Sequence, residues 1–82
     1  MENNYIKLAY ELTKVFVSDE ALLSIKQLES VEYDYHLLIL VSEEDMKKVI
    51  GHKGKNVNSI INIMKAYAYK NNKKIKIEFE SF

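Results

Sequence analysis

Val49 to Ile60 reads VIGHKGKNVNSI, and both glycines of the chain, Gly51 and Gly54, fall inside it. His52 and Lys53 stand between them, with Lys47, Lys48 and Lys55 on the flanks, and the chain has no proline. A residue without a side chain lets a second backbone come within van der Waals reach. A helix restarting after Gly54 would add unsatisfied N–H groups and the positive end of its dipole. Close approach, a helix terminus and clustered ammonium groups together make an edge suited to phosphate. All cationic side chains besides the histidines are lysines, so bidentate guanidinium recognition is absent and backbone contact is favoured over base reading. The plainer reading makes Gly51 a helix cap and Gly54 a turn residue.

The other residues that could do chemistry point away from catalysis and from any cofactor. His36 and His52 lack the carboxylate support of a metal site, and neither neighbours a serine or cysteine nucleophile in a recognisable arrangement. The acids of SEED, Ser42 to Asp45, suit the start of a helix better than paired catalytic work. Cysteine is absent, which excludes disulfides and thiolate metal sites. Tyr33 and Tyr35 are candidates for stacking on bases or on a partner subunit, whereas Tyr5 reads as core and Tyr69 as surface.

The formal net charge of zero hides a separation along the chain. Residues 1–45 carry ten acids against three lysines, and residues 46–76 carry nine lysines and no acid. The local field is what a polyanion meets. A length of 82 residues fits one domain spanning 1–82. The longest apolar run, LLILV at Leu37–Val41, is too short to cross a bilayer. The opening MENNYIKLAYELTK lacks the unbroken apolar region of a secretory signal, so the expected setting is the cytoplasm, without membrane insertion.

The elements that would position these residues follow from periodicity. Tyr5, Leu8, Ala9, Leu12, Val15 and Phe16 recur at helical spacing and predict an amphipathic first helix, broken at Ser18 and Asp19. Ala21–Glu29 fits a helix or an edge strand, and the strand gives the better sheet. Glu32–Val41 predicts a strand with Tyr33, Tyr35, Leu37, Ile39 and Val41 on one face. Leu38 and Leu40 then fall on the other face, which implies a sheet covered on both sides or a dimer contact. Ser42 caps the next helix, with Asp45 three residues on as in a capping box. Gly51 ends that helix in left-handed geometry. Val57, Ile60, Ile61, Met64 and Ala68 form the stripe of a long helix, with Asn58, Asn62, Lys65 and Tyr69 outside it. Asn71 and Asn72 turn into a last strand, where Ile75, Ile77 and Phe79 alternate with Lys76, Glu78 and Glu80. The order is helix, strand, strand, helix, helix, strand, a two-layer α/β (α+β) domain with three strands packed on three helices.

With Ile50 before the first glycine and Val57 and Ile60 after the second, the segment becomes IGxxGxxVxxI. Here the chain resembles the KH domains, whose GXXG loop clamps about four backbone nucleotides. It is most similar to the small bacterial single-KH proteins often called KhpA, over SEEDMKKVIGHKGKNVNSIINIMKAYA, and its helix-first, strand-last order resembles the type II KH fold. The resemblance implies a non-catalytic protein that binds single-stranded RNA with Gly51–Gly54 as the loop. Lys47, Lys48, Ile50, His52, Lys53 and Lys55 would complete the site. Ile50, Val57 and Ile60 would be buried supports, and Leu37 with Ile39, or Leu38 with Leu40, would wall a groove between the helix pair and the edge strand. It also implies a homodimer, or pairing with a larger KH-containing protein of the Jag type, and a role in cell elongation and cell-wall synthesis. His52 departs from the lysine or arginine of many KH loops. Histidine is mostly uncharged at neutral pH, so RNA binding is expected to tighten near pH 6 if His52 touches phosphate; pH-independent affinity with an intact fold removes it from the contact. The competing readings are a protein-interaction module using the glycine face and a chaperone that anneals small RNAs.

Overall fold

Three- and four-residue spacing puts Tyr5, Leu8, Ala9 and Leu12 on one side of α1, Asn4–Lys14, in this computed structural model, which describes residues 4–82. Residues 1–3, the start of MENNYIKLAYELTK, lie outside the described residues. Tyr5 and Ala9 are buried, and Leu8 and Leu12 pack against the same core. Asp19 then accepts the Ala21 N–H at 2.9 Å and starts a single 3-10 turn, Glu20–Leu22. The ambiguous stretch thus resolves into that turn followed by β1, Ser24–Leu28.

β2 spans Tyr35–Val41 and begins three residues later than the alternation predicts. Ser30 is the reason: its hydroxyl accepts the N–H groups of Glu32 at 3.2 Å and Tyr33 at 3.0 Å, which holds that stretch in a turn. β1 runs antiparallel to β2, with Ile25 opposite Ile39, and β2 runs parallel to β3, Ile75–Ser81, with Leu37 opposite Ile77. β2 is therefore the central strand, and Leu37, Ile39 and Val41 are fully buried under the helices. Asp34 clamps the start of the parallel pair, accepting the Lys74 N–H on its carboxylate at 2.8 Å while its own N–H donates to the Lys74 carbonyl at 2.9 Å.

The helices cover one face only. On the other, Leu38 and Leu40 are half-buried between Lys26 and Ser24 of β1 and Glu78 and Glu80 of β3. Neither packs against the buried core, so among the described residues the expected second cover is not met.

A parallel pair needs a long crossover, and here it consists of α2, Glu43–Ile50, a 3-10 turn at His52–Gly54, and α3, Lys55–Lys70. Ser42 caps α2 as predicted, its hydroxyl accepting the Asp45 N–H at 3.2 Å. Ile60, Met64 and Ala68 bury the inner stripe of α3. Asn72, at φ 57, ends that helix: its N–H reaches the Tyr69 carbonyl at 3.1 Å and the Lys73 N–H reaches that of Ala68 at 2.8 Å. The element order and the sheet packed against three α-helices are those predicted.

Candidate nucleic-acid interface

The glycines sit at the corner where α2 meets α3. Gly51 has φ 77 and ψ 176, a region essentially closed to other residues and different from the left-handed cap predicted. Its N–H still closes α2 by donating to the Lys47 carbonyl at 2.9 Å. Asn56 explains the geometry. From the first turn of α3 its side-chain amide donates to the Lys48 carbonyl at 2.8 Å, and it lies so close over Gly51 that a Cβ there would meet its Cγ and Nδ2 at 2.7 Å. Gly54 adopts the left-handed φ 75, ψ 15. A Cβ on it would meet nothing nearer than Asn58 Nδ2 at 3.5 Å. Lys53 between them is also left-handed, at φ 55 and ψ 29, which aims successive amides around a tight corner.

Around the corner His52, Lys53 and Lys55 are exposed, with Lys47 exposed one turn back on α2. Among the described residues Lys47, Lys53 and Lys55 make no ion pair. No side chain caps the start of α3 and no acid stands in its first turn, so the positive end of the helix faces outward with ammonium groups beside it. Lys48 is different. Its Nζ donates to the Ser18 hydroxyl at 2.7 Å and lies 3.6 Å from an Asp45 carboxylate oxygen, which draws it toward the link between α1 and β1.

Three expectations are corrected: Ile50 as a support, Asp45 as a capping residue, and the strand residues of the groove wall. Ile50 is 40% exposed and is no buried support. The buried face of α2 is set by Asp45 and Val49, four apart, and Ile50 lies one step around the helix from it; Ile60 is buried and Val57 half-buried as supports. Asp45 makes no capping box. Its carboxylate accepts the Ser18 N–H at 3.0 Å and the Ser18 hydroxyl at 2.8 Å. Those two bonds, then Ser42 and Lys48, outweigh desolvation and hold its carboxyl below the ordinary value. Leu37 and Ile39 wall no groove, since the central strand buries them completely, and Leu38 and Leu40 point to the helix-free face. The edge strand that contacts α2 and α3 is β3, so Ile77 and Phe79, both half-buried, stand where the wall was expected.

Tyr35 is committed to the interior. Its ring stacks on Tyr5 at 3.9 Å, and Tyr67 tilts against Tyr5 at 5.0 Å. Burial, then the neighbouring tyrosines, raises the Tyr5 phenol further above its ordinary value. Asn56 and Ser18 are the residues that sequence reasoning missed. Asparagine two residues after a glycine turn is a local capping signal, but nothing local ties Ser18 to Asp45, 27 residues away.

The family model described as KhpA/KhpB, KH domain matches residues 7–79. The chain belongs to that family. The order of elements is that of the type II KH fold. Among solved structures, Era of Aquifex aeolicus bound to GDP.AlF4- is similar at a TM-score of 0.62 and 15% identity, covering 95% of this chain and 30% of that one. The KhpA/KhpB-family chain thus spans under a third of the Era chain, and the likeness is one of fold. No curated protein matches. KhpA/KhpB membership makes this a KH-domain protein with an RNA-binding role in general terms. Among the described residues no group of three or more potential ligands is placed to hold a metal ion, and no helix is long and apolar enough to cross a membrane.

Proposed function

We propose that the chain, acting as one KH domain over residues 1–82, grips single-stranded RNA by its backbone at the Gly51–Gly54 corner. The unobstructed Gly54 carries this reading: a Cβ on it would meet only ordinary contacts, and beside it stand exposed Lys53 and Lys55 and the uncapped start of α3. Lys47 and His52 add to the field, and exposed Ile50 offers a base an apolar contact next to the loop. Lys48, held by Ser18, contributes less. One such site holds about four nucleotides, so useful affinity comes from linked sites. A homodimer, or a larger Jag-type KH protein, supplies them in the cytoplasm, in service of cell elongation and wall growth. This setting rests on the family resemblance, and the uncovered Leu38–Leu40 face is consistent with a protein partner.

Titration with RNAs of several sequences tests the grip. Lys53→Ala and Lys55→Ala are each expected to weaken all of them about equally and to lower the salt slope by roughly 0.7 per lost phosphate contact. An unchanged salt slope contradicts it.

Exposed Ile50 also favours a second reading, a protein-interaction module using the loop face. Gel filtration beside RNA titration of Gly51→Asp and Gly54→Asp separates the two: a broken dimer with unchanged RNA affinity selects the interaction module. A chaperone role is read from strand-annealing rates.

A further inference from the structure

A cleft of about 550 Å³ lies between α3 and β3, at the end of α3 remote from the glycine corner. Lys65, Lys73, Lys74 and Lys76 line it together with Tyr33 and Tyr69, over a floor that includes Ile61 and Ile77. No acid lines it. Asp34 stands at its rim but spends one carboxylate oxygen on the Lys74 backbone N–H. Among the described residues none of the four lysines makes an ion pair. Lys76 Nζ lies 5.9 Å from the centre of the Tyr33 ring, and Tyr69 leaves 85% of its surface in water. Exposed lysines without an acid partner beside one cleft repel each other, and a polyanion relieves that repulsion. The exposed Tyr69 ring offers a face on which any base stacks.

One flank of α3 links the cleft to the corner. Gly54, Asn58, Ile61, Lys65 and Tyr69 follow at spacings of three and four, so they form one stripe along the outer flank of α3. The rise of a helix puts Tyr69 roughly 20 Å from Lys55. Centred on the loop, a clamped strand of about four nucleotides covers only part of that distance; a longer one covers it all.

We infer that the α3–β3 cleft is a second contact surface for single-stranded RNA, holding phosphates on Lys65, Lys73 and Lys74 and stacking a base on Tyr69. The inference rests on the loop reading above and extends its footprint along the same strand. The cleft therefore rewards strand length, and the protein prefers long single strands over short ones without reading their sequence.

Fluorescence anisotropy with labelled single strands of about four nucleotides and of about three times that length tests it. The double variant Lys65→Ala/Lys73→Ala and the single variant Tyr69→Ala change exposed side chains only, and circular dichroism checks the fold. Each is expected to weaken the longer strand about tenfold while leaving the shorter one unchanged, the lysine pair also flattening the salt dependence. Wild-type affinity for both lengths in both variants overturns the inference. So does a cleft that takes polyglutamate in place of the longer RNA, with the same variants abolishing that binding. Gly54→Asp keeps the two readings apart. If it abolishes short-strand binding while the cleft variants bind normally, the loop stands and the cleft falls. If it leaves the short strand bound, the loop reading falls and takes this extension with it.

Discussion

Gly51 and Gly54 share one loop and nearly the same φ, 77 and 75, yet their surroundings are opposite. Gly51 is roofed by Asn56, which caps the end of α2 through the Lys48 carbonyl and leaves no room for a Cβ. A Cβ on Gly54 would meet only ordinary contacts, the nearest Asn58 Nδ2 at 3.5 Å. The first glycine closes the joint between two helices, and the second keeps the outer surface of that joint bare. Two glycines at a fixed spacing therefore need not share a purpose. What separates them is the volume their missing methyl groups would occupy.

The largest effect expected from this contrast is on stability. Gly51→Ala places a Cβ against Asn56 in a backbone region closed to alanine and is expected to cost about 3 kcal/mol in urea unfolding. Gly54→Ala, strained only by its left-handed φ, is expected to cost about 1 kcal/mol. Equal costs would dissolve the distinction. Asn56→Ala alone is expected to cost about 1 kcal/mol through the lost cap. Combined with Gly51→Ala it is expected to cost less than the sum, because the clash partner is gone; strict additivity would place Asn56 away from Gly51.

Asp45 sharpens the closed side further. Its carboxyl is held below the ordinary 3.8, chiefly by the Ser18 N–H and hydroxyl. A depressed folded value means that the anchor stabilises fully above the unfolded value and fades as pH falls through the lower folded one. Thermal melts of wild type and Asp45→Asn should differ at neutral pH and converge in acid, with RNA affinity per folded molecule the same. A gap that persists unchanged in acid assigns the anchor elsewhere. The smallest effect concerns the lysines: Lys48→Ala, whose ammonium is held by Ser18, is expected to change RNA affinity less than Lys55→Ala does. The reverse order in a titration would put Lys48 at the phosphate.

Much of the architecture was legible because it is local. The stripes of α1 and α3, the Ser42 cap and the alternation of β3 are set by residues within a few positions of one another. What escaped depends on distant partners. Glu32 and Tyr33 alternate like a strand until Ser30 takes their amides. Leu37 and Ile39 became core, and Ile77 and Phe79 edge wall, only once β2 took the central place, which no single strand's pattern reveals. Asp45 read as a capping residue because Ser18, its real partner, enters from another segment. Of the candidate site, the glycines and the exposed lysines were visible as a motif, whereas Asn56 over Gly51 and the outward turn of Ile50 needed the packed corner.

Single-stranded RNA titrated into wild type and Gly54→Asp, with urea unfolding of both in the same buffer, probes the open corner most directly. Aspartate tolerates left-handed geometry, so the variant should unfold within about 1 kcal/mol of wild type while its carboxylate, set where a phosphate would lie, weakens binding tenfold or more. Two equally stable proteins with equal RNA affinity would contradict backbone gripping at Gly54.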